Sequence, residues 1–260
     1  MNPRTIVTLD GRFWQIQDIL NKMMDDEFYF GYLGENALSS SSCTKLLDSP
    51  LKYQQSLGGS KENSPALRIG SLFHYKILEP KKWDSLKFVD VKSRNTIKFQ
   101  EALSEYGEAY TIGEKRQAED MANTFLVNSR CMDMLHHTRQ EVPSIGEIFG
   151  FPFRAKADIL GDGYIVDLKS TDDVKGFRYS ANKWNYDSQM YIYCTLFDIP
   201  YDCFTFVVID KKSNALGIFE CSKEFYLSGK AKVETACQIY RDYFVDKKRS
   251  PEEFYLYDVL

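Results

Sequence analysis

Apolar and polar residues alternate along residues 153–160, where Phe153, Ala155, Ala157 and Ile159 interleave with Arg154, Lys156 and Asp158, the pattern of a half-buried strand. Gly161-Asp162-Gly163 then signals a turn, and residues 164–169 resume with aromatic and β-branched content before ending Asp167-Leu168-Lys169. A side-chain period of two puts Asp167 and Lys169 on one face. Whether Asp158 joins them depends on the turn. An even-numbered loop, or a three-residue loop with a one-residue bulge, brings it there; a regular three-residue loop does not. Residues 204–210 form a nearly continuous apolar run, as expected of a strand covered on both faces. Residues 145–152 read as a strand and tight turn, and residues 218–221 as a further strand.

Helical spacing dominates elsewhere. Residues 43–47 read as a helix capped by Ser41 or Ser42 and closed by Pro50. Residues 65–80 form a helix with Leu72, Phe73, Ile77 and Leu78 available to the core. Gly70 and Ser71 give it a small-residue face open to close approach, and His74 lies one turn beyond Gly70. Residues 83–91 read as an irregular or extended connection, and residues 97–106 and 113–137 as helices. In a helix over 184–197, Tyr186, Gln189, Met190 and Tyr193 share one stripe, with an amide and a phenol where packing alone would favour leucine. A last helix covers roughly 223–245. The first 37 residues hold a short strand at 5–9, a short helix at 13–24 and an aromatic patch at 28–32 suited to packing this arm onto the body or, as the alternative, to binding a partner. Residues 58–63 have the composition of a mobile loop.

Composition changes the picture in three ways. Apolar residues at 43% and aromatics at 15% are ample for a core and argue against disorder. A formal net charge of −4 excludes a protein that coats nucleic acid by bulk charge. It leaves room for a metal-dependent nuclease, whose acidic site is neutralised by ions. Six cysteines form no C-x-x-C pair and no zinc or iron–sulfur spacing, consistent with packed thiols in a reducing compartment. No apolar run is long enough to span a membrane and no signal peptide opens the chain, so a cytoplasmic protein is expected.

If Asp158 shares the face of Asp167 and Lys169, two carboxylates and one ammonium sit on a strand pair otherwise suited to a core. Burying unpaired charges costs several kcal/mol per ion, so such a cluster calls for a cation. Carboxylates without thiols suit Mg²⁺ or Mn²⁺. A lysine beside the metal can orient a water and stabilise charge on a phosphate. Taken alone, an Asp-x-Lys triplet equally fits a surface hairpin with a weak ion pair. Glu147, flanked by Ile145 and Phe149 on its own face, is either an edge residue or a member of the acidic site. Arg94, Lys98, Lys115 and Arg116 are placed to contact phosphates, but a solvated face is the preferred reading for each.

Several segments, in order, resemble the PD-(D/E)XK nuclease superfamily, and within it the RecE (exonuclease VIII) and RecB-like branch. They are the serine-started helix over 38–50, Arg68-Ile69-Gly70-Ser71-Leu72-Phe73-His74, Glu147 on its strand, Lys156-Ala157-Asp158, Ile165-Val166-Asp167-Leu168-Lys169-Ser170-Thr171, and Gln189-Met190-Tyr191-Ile192-Tyr193. The resemblance covers about 38–245 and implies a restriction-endonuclease-like α/β fold, a mixed sheet flanked by helices. Residues 38–260 would be the nuclease domain and residues 1–37 a helical N-terminal arm. The implied activity is a Mg²⁺-dependent exodeoxyribonuclease on double-stranded DNA ends, with Mn²⁺ substituting. Asp158, Asp167, His74 and the Leu168 carbonyl would hold metal, and Glu147 would assist through a second metal or a water. Lys169 would activate the water, and Gln189 and Tyr193 would orient the DNA or the site. A role in recombination or repair of phage type, a single-strand annealing partner and a ring-shaped homo-oligomer also follow from the resemblance alone. The iron–sulfur cysteines of some relatives and any helicase G-x-x-x-x-G-K-[ST] motif are missing. A structure-specific or single-strand endonuclease, or a non-catalytic module binding DNA or a partner, are the alternatives.

Overall fold

The computed structural model describes residues 5–58 and 64–255, so the loop expected at 58–63 lies outside them save for Gly58. The first part of the chain runs β1 (Thr5–Val7), β2 (Phe13–Gln15), α1 (Ile16–Lys22), α2 (Leu33–Asn36), α3 (Ser40–Asp48), α4 (Pro50–Ser56), α5 (Pro65–Leu78) and α6 (Pro80–Ser85). It continues through β3 (Lys87–Val89), α7 (Ile97–Tyr106), β4 (Ala109–Thr111), α8 (Ile112–Leu126) and α9 (Ser129–Leu135). The rest comprises β5 (Arg139–Ile148), β6 (Phe151–Leu160), β7 (Ile165–Thr171), α10 (Phe177–Lys183), α11 (Tyr186–Phe197), β8 (Phe204–Asp210), β9 (Leu216–Glu220) and α12 (Lys223–Tyr240).

β5 to β9 form one mixed sheet in sequential order, antiparallel except where β7 runs parallel to β8. A parallel step needs a crossover, and α10 with α11 supplies it. One face buries Phe153, Ile165, Phe204, Phe206 and Val208 against Met190 and Ile192 of α11, Val233 of α12 and Leu46 of α3. The other buries Ile159, Val166, Leu168, Val207 and Ile209 under Phe73 and Ile77 of α5 and Met121 and Phe125 of α8. Cover on both faces is why β8 reads as an unbroken apolar run. The result is the expected α/β class, a mixed sheet flanked by helices. At the N-terminal end, Ile6 and Trp14 of the β1–β2 hairpin bury with Met23, Tyr29 and Leu33 against Ile145 of β5. Trp14, Phe28 and Tyr32 meet ring to ring at 5.1–5.7 Å within this segment, and the Tyr29 ring, under the Arg154 guanidinium of β6 at 4.5 Å, joins the aromatic patch to the sheet.

Four local expectations are corrected. The helix expected at 13–24 begins only at Ile16, because Phe13–Gln15 pairs with β1. The helix expected at 113–137 breaks after Leu126, where the Asn128 side chain caps α9 by accepting the Cys131 N–H. Ser39, not Ser41 or Ser42, caps α3, and Pro50 opens α4 rather than closing α3. Pro80, expected to end the helix over 65–80, likewise opens α6, which runs into the connection expected to be irregular from 83. Proline fits the first turn of a helix, where its missing N–H is no loss.

The two helices behind the sheet are locked at one point. Asp187 of α11 is wholly buried. Its carboxylate accepts from the Ser228 hydroxyl at 2.7 Å, pairs with Lys232 at 2.8 Å and accepts the Ser188 N–H at 2.9 Å. A buried carboxylate needs such a full set of partners. Gly229 makes the approach possible: a Cβ there would lie 2.0 Å from the Asp187 carbonyl oxygen. Gly229→Ala is therefore expected to force α11 and α12 apart and cost about 2–3 kcal/mol, read as a lower urea midpoint. An unchanged midpoint would show that the helices are not held at this contact.

Candidate active site

The loop between β6 and β7 is even. The pairs Leu160↔Ile165 and Ile159↔Val166 close a four-residue turn, 161–164, in which the Gly161 N–H donates to the Tyr164 carbonyl at 3.0 Å. Tyr164, expected in the strand, belongs to the turn, and the register carried on from these pairs sets Asp158 opposite Asp167. Strand pairing ends there. The Asp158 carboxylate replaces it by accepting the Leu168 N–H at 2.7 Å, and the Leu168 carbonyl lies 3.0 Å from His74 Nε2.

α5 brings His74 to this point through Gly70. A Cβ on Gly70 would sit 3.1 Å from the Ser170 hydroxyl oxygen, so the helix rests directly on β7 and its next turn carries the imidazole over Leu168. This is the close approach that the small-residue face promised. Burial holds the His74 pKa down at about 4, and the Lys169 charge acts in the same direction. The ring is then neutral at pH 7, with one N–H and one lone pair. Since Leu168 offers a carbonyl, Nε2 carries the proton and Nδ1 the lone pair. Nδ1 faces Asp158 Oδ2 at 3.7 Å, so two acceptors confront each other. Glu141 joins them: ligand atoms of His74, Glu141 and Asp158 all lie within 4.8 Å of one another.

Lys169 and Asp167 form the other half of the site. Lys169 Nζ is 2.5 Å from Asp167 Oδ2 and lies over the Tyr186 ring at 4.9 Å. Burial opposes the ammonium, yet the Asp167 and Asp158 charges outweigh it and raise its pKa above the ordinary lysine value. Gln189 of α11 donates to Asp167 Oδ1 at 2.5 Å and also bonds Tyr193 one turn on, so the polar residues of that stripe face the carboxylates. Burial pushes Asp158 and Asp167 up to about 6, against the pull of Lys169. Burial, then the charge of Asp158, pushes Glu141 up to about 8.

The structure thus brings together His74, Asp158, Asp167, Leu168, Lys169, Gln189 and Tyr193. It does not bring Glu147. β5 and β6 are joined by the two-residue turn Phe149-Gly150, both at positive φ, and the resulting register sets Glu147 opposite Pro152 and exposes it. Glu147 lies six residues up β5 from Glu141, roughly 20 Å along an extended strand. Glu141 takes the place opposite Asp158, between the pairs Gln140↔Ile159 and Val142↔Ala157, with a left-handed φ of 51°. The sequence signal for it is hairpin arithmetic, hidden because Phe-Gly is not an Asn-Gly turn. Of the residues expected on a solvated face, Arg94 is engaged with the Ala109 carbonyl and Glu114, and Lys115 with Glu119.

Residues 39–252 match the family described as a PDDEXK-like domain of unknown function (DUF3799). The chain belongs to this family. It is therefore a member of the PD-(D/E)XK superfamily, and its fold is that of a nuclease domain. A structure from Eubacterium rectale, described as that of a candidate exonuclease, is similar with a TM-score of 0.64 and 16% identity, covering 91% of this chain and 95% of that one. A phage related exonuclease from Haemophilus somnus 129PT gives a TM-score of 0.31 at 16% identity, covering 62% of this chain and 92% of the other. No curated protein matches the chain. Among the described residues no helix of this PDDEXK-like chain is long and apolar enough to cross a membrane.

The buried carboxylates make a pH prediction for the metal-free protein. Each binds its proton more tightly folded than unfolded, so its contribution is complete below the ordinary carboxylate range and is lost as pH rises through the folded value. His74 acts oppositely between pH 4 and 6.5, and above 6.5 it is neutral in both states. From pH 6.5 to 8 the deprotonation of Glu141, folded value about 8, dominates. In EDTA, stability to urea is expected to fall by about 2 kcal/mol over that window, and Glu141→Gln to flatten the fall. A rising profile would contradict the burial of Glu141 as an unpaired acid.

Proposed function

We propose that this chain is a divalent-metal-dependent deoxyribonuclease that hydrolyses DNA phosphodiester bonds, working as an exonuclease from double-stranded ends. The observation that carries the reading is the confrontation of His74 Nδ1 with Asp158 Oδ2 at 3.7 Å, with Glu141 alongside. Acceptors turned on one another in a buried place are suited to a cation and to little else. Imidazole and carboxylate donors without a thiol fit Mg²⁺ or Mn²⁺.

In this reading His74, Glu141 and Asp158 hold the ion, joined by Asp167 and by the second lone pair of the Leu168 carbonyl, while Glu147 stands apart. When bound, the ion supplies Lewis-acid polarisation of the phosphodiester and lowers the pKa of a water. Lys169 orients that water and offsets negative charge developing on the phosphoryl oxygens. Gln189 fixes the rotamer of Asp167, and Tyr193 holds the Gln189 amide in turn, a supporting arrangement typical of metal carboxylates. Residues 38–260 are the nuclease domain and residues 1–37 an arm laid on its sheet. Action at duplex ends is supported by the likeness to the Eubacterium rectale protein and by the RecE-like motifs. The same resemblance supports a place in recombination or repair, a strand-annealing partner and a ring-forming oligomer.

Calorimetric titration with Mn²⁺ is expected to show binding that Asp158→Asn and Glu141→Gln each weaken by about tenfold or more, while Glu147→Gln leaves it unchanged. Loss in the Glu147 variant and none in the Glu141 variant would reverse this ligand assignment. Digestion of end-labelled linear duplex is expected with Mg²⁺ or Mn²⁺, and to be abolished by EDTA or Lys169→Ala, with covalently closed circles spared. Cleavage of the circles would make the enzyme an endonuclease. Binding of DNA without cleavage under any condition would make it a non-catalytic module.

A further inference from the structure

We propose that residues 175–184, leading into α11, form a platform for single-stranded DNA beside the active site, with Tyr179 and Trp184 stacking on unpaired bases and Lys175, Arg178 and Lys183 taking phosphates. The proposal deepens the nuclease reading above and rests on it.

The segment is built with two unlike sides. Phe177 and Ala181, one turn apart, are buried and anchor α10 to the core. Arg178, Tyr179, Asn182, Lys183 and Trp184 project outwards, and the two aromatics are 71% and 55% exposed. Single exposed rings are ordinary, but here two lie five residues apart on one segment, each beside a cation. The cations lie against those rings: the Arg178 guanidinium is 5.8 Å from the Tyr179 ring centroid and Lys183 Nζ 5.2 Å from that of Trp184.

The acids of the same stretch are already engaged. Asp173 accepts the Gly176 N–H at 3.1 Å, and Asp172 pairs with Lys211 at 3.1 Å. Lys175, Arg178 and Lys183 have no ion-pair partner among the described residues, unlike Lys82, Lys156 and Lys232. Three cations without an ion pair within nine residues give this segment of a chain of net charge −4 a local charge complementary to a polyanion. The anchor also meets the site directly. The Phe177 ring stacks on Tyr186 at 5.9 Å, and Lys169 lies over that same Tyr186 ring at 4.9 Å. The buried anchor of the platform is therefore separated from Lys169 by one aromatic ring, Tyr186.

The chemistry selects single strands. A duplex offers phosphates to the cations but hides its base faces, whereas an unpaired strand offers both to alternating rings and charges. At a duplex end, the platform would hold unstacked nucleotides of the strand being hydrolysed.

Trp184 is its own probe, because Trp14 and Trp83, the other two tryptophans, are buried. In EDTA, a single-stranded oligonucleotide is expected to quench Trp184 emission saturably, with a blunt duplex of equal length quenching less. By fluorescence anisotropy of a labelled oligonucleotide, Tyr179→Ala and Trp184→Ala are each expected to weaken binding about tenfold. Lys183→Ala is expected to lower the slope of log affinity against log salt by about 0.7. Mn²⁺ affinity and thermal midpoint should stay at wild-type values, separating lost contact from lost fold. Emission unmoved by DNA, or variants that bind DNA as tightly as wild type, would overturn the platform. If wild type fails to cleave DNA while the quenching remains, the nuclease reading falls and the platform stands; cleavage with no effect of either aromatic gives the reverse.

Discussion

Beyond Ile159↔Val166, β6 and β7 no longer pair, and the backbone of Leu168 is left facing a gap in the middle of a buried sheet. An unsatisfied donor or acceptor in such a place costs about 1–3 kcal/mol each. Two side chains remove that cost, Asp158 by accepting the Leu168 N–H and His74 by donating to its carbonyl. The chemistry follows from this substitution. A carboxylate that replaces a strand is fixed at one oxygen, and an imidazole fixed through Nε2 must present Nδ1. The parting of two strands both opens the site and aims two of its groups at each other.

Holding the gap open needs support from both layers of helices. On one side α5 can reach Leu168 only because Gly70 lets it lie against Ser170. On the other, α11 holds Asp167 through Gln189, and α11 is itself pinned to α12 at Asp187 and Gly229. β7 between them pairs with β8 along its whole length, Ile165↔Phe204 to Thr171↔Asp210, so the strand that carries Asp167 and Lys169 cannot follow β6 away. Rigid elements thus position every polar group of the site, which a reaction sensitive to displacements of about 1 Å requires.

What the sequence disclosed depended on whether the signal was local. Residues 204–210 could be read because burial on both faces writes itself into consecutive residues. Gln189 and Tyr193 stood out because an amide and a phenol interrupt an apolar helical stripe. Gly70 and His74 were legible as a small-residue face followed by a histidine one turn later. Glu141 was not, because its place opposite Asp158 is set by a two-residue turn eight positions away and by its own left-handed backbone. Glu147 satisfied the same compositional rule and lies at the far end of the strand. The split of the 113–137 helix and the helices opened by Pro50 and Pro80 escaped for a related reason: Asn and Pro end one helix and begin another with the same residues.

Charge ties these features together. Lys156 also acts on Glu141 but is paired with Asp26, so Glu141, Asp158 and Asp167 are left with Lys169 and an excess of two negative charges if all are ionised. Without a cation the chain relieves that excess with protons, which is why burial can carry these acids to values of about 6 to 8. A divalent cation matches the excess in full, so ion and protons compete for the same oxygens and each bound ion must release protons. Only after that exchange does the site cease to repel a phosphodiester. In the proposed mechanism an acidic chain then acts on a polyanion: the cation would neutralise the acidic cleft, and the cations of 175–184, without ion-pair partners among the described residues, would draw the strand to its edge.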